Sequence, residues 1–313
     1  MNKFLIIILG FSVLLLGTVL YYDQYYYNEL QNLYIQDLYI QELQNKQDIK
    51  NISDFSFEQE RFEHVTSKVL LPVVKIAIKE PDKANGTGIL IADLIKNEIH
   101  TTYILTAAHV ALNAIDDQEI NEITLKGKKH PIYITVYQYD TNGTVHSFLT
   151  LKASIVIIDQ DKDLALLKIL PHKYNFSIAK LKDKNKSLQM GDQTIAVGCG
   201  LGLDPLISYG NFNGYLYDGD GNLKGTQNAP VTFGNSGGPL YDGFTQEVAG
   251  INVSLAGIGA TFITIPQNHI SFFVPHTTIW EFVEKRGFGY IFTNDLKDKD
   301  IMEEVRNNFA VPE

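Results

Sequence analysis

Three short motifs along the chain contain the side chains of a nucleophilic catalyst. His109 lies in the sequence TAAHV, Asp163 in DKDLALL and Ser236 in GNSGGPL. A serine hydroxyl needs a neighbouring base to attack at neutral pH. Histidine, with a reference pKa of about 6.5, can accept that proton, and a buried aspartate can fix its tautomer. The motifs predict a triad in which His109 is the general base, Asp163 orients it and Ser236 is the nucleophile.

The glycines around Ser236 predict a second catalytic feature. A tight turn there would direct the main-chain N–H groups of Gly234 and Ser236 at the same point, where an oxyanion develops. One such donor typically contributes about 2.7–4 kcal/mol of transition-state stabilisation. This chemistry needs no metal and no organic cofactor, and we predict neither.

Each motif also has a structural explanation, because a histidine after a strand, an aspartate cap and a glycine-rich loop are common. Their occurrence together and in this order favours catalysis. The pattern G-x-S-x-G around Ser236 also fits the nucleophile elbow of an esterase, with Asp242 and either His269 or His276 completing the set. That motif requires a helix after the serine, and the sequence GGP is a poor helix start, so we disfavour it.

The elements that must position these residues are mostly strands. Between about residues 65 and 275, runs rich in Val, Ile, Thr and Tyr alternate with Gly, Asn and Asp. The dipeptides Asn85-Gly86, Asn142-Gly143 and Asp220-Gly221 predict turns. Many short strands predict an all-β sandwich or barrel. The runs are 69–78, 88–92, 103–106, 132–139, 154–158, 194–197 and 248–253.

Both ends of the chain differ from this β-rich region. Residues 4–22 are uncharged and as a helix would span about 28 Å, close to a bilayer core. We predict a single-pass membrane anchor with the bulk of the chain extracytoplasmic; a cleaved signal peptide stays open, and a buried core helix is disfavoured. Residues 23–64 predict a helical stalk and linker, through which homo-oligomerisation stays open. A C-terminal helix is predicted over 277–286, ended by Gly287, with a charged peripheral tail after it.

Composition excludes several classes of protein. With 45% hydrophobic residues the chain can bury a sizeable core, and a net charge of −10 gives no electrostatic footprint for nucleic acid. The single cysteine, Cys199, excludes an intramolecular disulfide framework and a cysteine-based zinc cluster.

At these motifs the chain resembles trypsin-like serine proteases of the chymotrypsin fold, and more closely their HtrA/Deg-like branch. Residues 73–76 (VVKI) with 86–91 (GTGILI) resemble the opening strands of that family, and residues 190–198 (MGDQTIAVG) resemble the entry to its second barrel. The resemblance implies two packed six-stranded antiparallel Greek-key barrels, with His109 and Asp163 in the first and Ser236 in the second. The implied division is an anchor at 1–22, stalk and linker at 23–64, protease domain at 65–275 and helical tail at 276–313.

The resemblance also implies a function and a substrate strand. The chain is expected to be a serine endopeptidase acting on extended or unfolded protein or peptide segments, which would pair with Ile251, Asn252 and Val253 by β-augmentation. The residues just before Ser236 and those at 257–262 are uncharged, which predicts a small or medium apolar side chain before the scissile bond. A catalytically inactive peptide-binding or chaperone-like module on the same fold is the alternative.

Three departures from the family pattern carry expectations of their own. Too few residues follow Pro275 for the PDZ domain common in HtrA proteins. Cys199 stands where a small polar residue is usual, and either a reactive thiol or, preferably, a buried small hydrophobe is expected. Asn235 replaces the aspartate of activatable trypsins, so activation by a newly cut N-terminal amine is not expected.

Overall fold

A computed structural model describes residues 65–96, 98–121, 124–140, 143–260 and 263–293. The predicted anchor, the stalk and linker, and the charged tail lie outside these residues. Within the ranges described, no helix combines the length and the apolar character needed to cross a bilayer.

Most of the strands close into two antiparallel barrels. The first has the order β1-β2-β3-β8-β7-β6 and the second β10-β11-β14-β13-β12-β9, while β4 and β5 form a separate two-stranded sheet. In each barrel the strand after the first three returns beside the first, which is the Greek-key order. The prediction of two six-stranded antiparallel barrels is therefore confirmed. The strands are β1 (Val73–Ile78), β2 (Ala84–Lys96), β3 (Ile99–Thr106), β4 (Ile115–Asn121), β5 (Thr124–Lys129), β6 (Ile132–Tyr139), β7 (Val145–Asp159), β8 (Leu164–Ile169), β9 (Gln193–Gly198), β10 (Leu206–Tyr217), β11 (Leu223–Gln227), β12 (Pro239–Asp242), β13 (Val248–Ala260) and β14 (Ile263–Pro275).

The strands that lead to the predicted site are buried on both faces. In β8, which follows Asp163, every side chain except Lys168 is buried, and β1 is buried at every position except Lys75. One face of such a strand fills the barrel and the other is covered by neighbouring elements, so the sequence is continuously apolar instead of alternating. Each fully buried Val, Leu or Ile contributes about 1.5–3 kcal/mol, which fixes these strands firmly.

One predicted turn is confirmed and another is wrong. Gly221 adopts a φ of +81° and donates its N–H to Asp218 O at 3.0 Å, which closes the turn before β11. Asn85-Gly86 lies inside β2 and makes no turn. The Asn85 side chain instead accepts the Ile78 N–H at 2.7 Å, so it caps the end of the neighbouring strand. Asn142 lies outside the described residues.

Within the described ranges the helices are few and short. They are α1 (Ala108–Leu112), α2 (His276–Lys285) and α3 (Tyr290–Thr293). The prediction of a helix over 277–286 is confirmed to within one residue by α2, which buries Ile279 and Phe282. Gly287, with a φ of +75°, donates its N–H to Glu284 O and ends the helix as predicted. A π-helical turn (Thr66–Leu70) precedes β1, and a 3₁₀ turn (Gly200–Gly202) follows β9.

Candidate active site

His109 and Asp163 lie together at one end of the first barrel. His109 is in α1, directly after β3, and Asp163 immediately precedes β8. The Asp163 carboxylate accepts the His109 main-chain N–H at 2.9 Å and lies 2.9 Å from the ring Nδ1. Asp163 has a φ of +58°, a left-handed conformation that costs a non-glycine residue about 1–2 kcal/mol. Since a carboxylate only accepts, this contact assigns the single proton of a neutral imidazole to Nδ1 and leaves Nε2 as the acceptor.

The peptide before Gly234 has a fixed orientation. The Phe233 carbonyl accepts the Leu201 N–H at 2.6 Å. In a trans peptide the carbonyl and the N–H point in opposite directions, so the Gly234 N–H points away from Leu201. Gly234 has a φ of +100°, and a Cβ there would lie 2.4 Å from Cys199 O. Only glycine fits this position.

The peptide before Ser236 is fixed in a similar way. The Asn235 carbonyl accepts the Gly238 N–H at 2.9 Å, which turns the Ser236 N–H to the other side. Among the hydrogen bonds of the described residues, neither the Gly234 N–H nor the Ser236 N–H is a donor. Two main-chain donors on one tight turn are therefore available to a ligand.

Ser236 lies next to the chain segment that contains His109, without a hydrogen bond between the two. The Ser236 hydroxyl donates to Val253 O at 3.5 Å, and among the described residues the hydroxyl has no other hydrogen-bond partner. The point that a Cβ of Gly86 would occupy lies 2.6 Å from Val110 Cγ2 and 3.0 Å from Ser236 O. The residue after His109 and the backbone of Ser236 thus meet across Gly86.

Two of the three residues predicted to bind a substrate strand, Ile251 and Asn252, are already paired within the second barrel. Asn252 donates its N–H to Gly238 O at 2.9 Å, and its side-chain amide bonds the same oxygen at 3.2 Å. Ile251 is fully buried and is paired with Val274 of β14. Val253 lies at the register shift between Asn252 and Ser254, and the pairing of an extended peptide with this edge stays a prediction.

The predicted specificity pocket is described only in part. Val231 is 5% exposed and packs in the core of the second barrel, whereas Pro230 is exposed. The side chains of residues 257–262 lie outside the described ones. The preference for an apolar side chain stays a prediction.

Two threonines that sequence reasoning left without a role hold the serine turn. Thr87, fully buried in β2, donates its hydroxyl to Gly234 O at 2.6 Å and accepts the Cys199 N–H at 2.8 Å. Its main-chain N–H donates to Ser236 O at 2.9 Å. Its carbonyl accepts the Thr106 hydroxyl at 2.7 Å. A polar residue between two glycines, directly before the apolar run at residues 89–92, was the available signal.

Cys199 behaves as a buried residue and not as a reactive one. Its side chain is fully buried, and this burial raises the pKa of the thiol to about 12, against a smaller opposing effect of the Thr87 hydrogen bond. The thiol is therefore protonated at neutral pH, which agrees with the small-hydrophobe interpretation. In the part of the chain that the structure describes, no three His, Cys, Asp or Glu side chains cluster as they would to hold a metal ion.

Comparisons with known proteins agree with this architecture. The family model described as "Trypsin-like peptidase domain" matches residues 86–251, a span that includes His109, Asp163 and Ser236. The crystal structure of Deg5 has a similar fold, with a TM-score of 0.51 and 24% sequence identity over 72% of this chain and 92% of that chain. No curated protein matches the sequence.

Proposed function

This chain belongs to the trypsin-like peptidase family, and from that premise we propose that it is a serine endopeptidase that cleaves extended or unfolded protein segments. The observation that carries the proposal is the pairing of His109 with Asp163 on one barrel, beside a Ser236 turn with two unused N–H donors on the other. That combination provides a base, its orienting group, a nucleophile and an anion site.

The proposed reaction uses only groups of the chain and the substrate. Ser236 Oγ attacks the scissile carbonyl carbon as its proton passes to His109 Nε2, and Asp163 stabilises the imidazolium that forms. The tetrahedral oxyanion accepts the N–H groups of Gly234 and Ser236. The His109 proton then passes to the leaving amine, and water repeats the sequence to hydrolyse the acyl-enzyme.

A substrate strand would also change the partner of the nucleophile. In the free protein the Ser236 hydroxyl faces Val253 O at a long 3.5 Å. An extended peptide added to this edge would donate its own N–H to that carbonyl, as β-augmentation requires. The serine hydroxyl would then be released to rotate towards His109, since catalytic hydrogen bonds are often formed only in the complex.

Active-site labelling tests the proposal directly. The full-length protein should react with a fluorophosphonate and cleave casein, and Ser236→Ala should lose both. Ser147→Ala is the matched control, because Ser147 is an exposed hydroxyl on β7 that bonds Gln138 at 3.0 Å. Equal labelling of wild type and Ser236→Ala, or a wild type that neither labels nor cleaves, would overturn the assignment.

The second candidate is an inactive peptide-binding or chaperone-like module, which the missing hydrogen bond between Ser236 and His109 favours. Such a module would suppress aggregation of an unfolded protein equally well as wild type and as Ser236→Ala, with no cleavage in either. The endopeptidase instead requires cleavage that only the wild type performs.

We also propose that residues 4–22 attach the protein to a membrane, with residues 65–275 on the extracytoplasmic side. The support is the uncharged run of bilayer length after Lys3. Fractionation of the full-length protein should recover it in carbonate-washed membranes. Recovery as a soluble protein that begins after residue 22 would support the signal-peptide alternative instead.

A further inference from the structure

We propose that Thr87 is a positioning residue that locks the oxyanion turn of the second barrel to the first barrel; this inference rests on the proposed function. Thr87 belongs to β2, whereas Gly234 and Ser236 lie between β11 and β12. Its side chain is fully buried, so its hydrogen bonds are shielded from water.

The hydroxyl of Thr87 has its donor and acceptor roles fixed by its neighbours. The Cys199 N–H can only donate and lies 2.8 Å away, so it occupies a lone pair of Oγ. The single hydroxyl proton is left for the Gly234 carbonyl at 2.6 Å. The turn is therefore held through a group that a methyl of the same shape could not replace.

The main chain of Thr87 continues the connection towards the catalytic base. Its N–H donates to Ser236 O at 2.9 Å, and its carbonyl accepts the Thr106 hydroxyl at 2.7 Å. Thr106 ends β3, three positions before His109. One continuous series of hydrogen bonds thus joins β3, the strand that precedes the base, to both residues that offer the oxyanion donors.

The turn needs such a connection because its own backbone is permissive. Gly234, at a φ of +100°, has no side chain to oppose rotation of the adjoining peptides. Leu201 holds the peptide on its N-terminal side through Phe233 O, and Thr87 holds the carbonyl on its C-terminal side. Loss of the Thr87 hydroxyl should free the peptide after Gly234, which leads to the Ser236 N–H, and so loosen the turn that carries both oxyanion donors.

Kinetics of Thr87 variants in the full-length protein test this role. Thr87→Val should lower kcat for a peptide substrate by about 10- to 100-fold with KM within about 3-fold, because only transition-state stabilisation is lost. Thr87→Ser keeps the hydroxyl and should recover kcat to within about 3-fold. Thr135→Val is the matched control, since Thr135 is 5% exposed in the first barrel and bonds Thr150 away from the turn. Thr87→Ala replaces Thr87→Val where the latter does not fold.

A second measurement does not depend on activity. Amide hydrogen exchange over residues 199–238 should be faster in Thr87→Val than in wild type and should be unchanged in Thr87→Ser and Thr135→Val. Unchanged exchange in Thr87→Val, or a wild-type kcat in that variant, would overturn the positioning role. If the wild type is inactive and amide exchange is nevertheless faster in Thr87→Val, the proposed endopeptidase function would be refuted and the positioning role of Thr87 supported.

Discussion

A methyl group added at Gly237 should strongly destabilise the contact between the two barrels. A Cβ there would lie 2.1 Å from Thr106 Oγ1 and 2.2 Å from Thr87 O, the two atoms joined by a buried hydrogen bond. Gly237 also adopts a φ of +84°. Gly221 has nearly the same φ, +81°, yet nothing lies within 4 Å of the Cβ it would carry. Alanine at the two positions therefore meets the same backbone cost in very different surroundings.

The difference between the two substitutions can be worked from these contacts. The left-handed backbone costs an alanine about 1–2 kcal/mol at either site. At Gly237, displacement of the Thr106 hydroxyl and the Thr87 carbonyl adds about 1–3 kcal/mol for unsatisfied buried groups and about 1–3 kcal/mol for overpacking. We expect Gly221→Ala to lower the free energy of unfolding by about 1–2 kcal/mol and Gly237→Ala by at least about 3 kcal/mol.

Urea unfolding followed by circular dichroism measures both variants on one scale. The slope of the transition should stay at the wild-type value while the midpoint shifts, since the folded structure is retained. The Gly237→Ala protein that remains folded should also have reduced activity, because Ser236 is its neighbour. Equal loss of stability in Gly237→Ala and Gly221→Ala would refute the packing argument.

Three other expectations concern single side chains. Asp163→Asn should lower kcat for a peptide substrate by about 10³- to 10⁴-fold, because the amide favours the wrong imidazole tautomer, and a loss below tenfold would contradict the assignment. Burial lowers the pKa of His172, with Asp93 opposing the shift and His100 adding to it. Neutral His172 contributes its full stability above the unfolded pKa of about 6.5, and this contribution is lost as the pH falls through the folded pKa. The free energy of unfolding should therefore decrease between these two pKa values, and the decrease should be smaller in His172→Gln. Cys199 should resist iodoacetamide in the native protein and react after denaturation, as mass spectrometry would show; rapid native labelling would refute its burial.

The features that could be predicted from the sequence are those that depend on a few consecutive residues. Asp163, the glycine turn at Ser236 and helix α2 each show a local pattern that neighbouring residues produce by themselves. The strand segments were found because a closed barrel demands short apolar runs. The exact ends of the strands could not be predicted. For example, β7 extends from Val145 to Asp159, although only residues 154–158 form a clearly apolar run.

The features that were missed depend on contacts between distant segments. Thr87 and Gly234 are 147 positions apart, and nothing near Thr87 indicates that its hydroxyl meets a loop of another barrel. Asn85-Gly86 has the composition of a hairpin turn, but Gly86 is required because a side chain there would strike Val110 at 2.6 Å. The same residue types serve turning and close packing, and only the tertiary structure distinguishes the two uses.

Because the candidate site lies between the two barrels, hydrogen bonds that orient its catalytic groups also stabilise the fold. Ser236 is held through its carbonyl by Thr87 of the first barrel, and Gly237 donates its N–H to Asn252 of the second at 2.7 Å. These two hydrogen bonds fix the turn and also belong, respectively, to the contact between the barrels and to the wall of the second barrel. A substitution that loosens the junction should reduce turnover before it unfolds either barrel, because a small rotation of the turn redirects its N–H donors while the apolar cores stay buried.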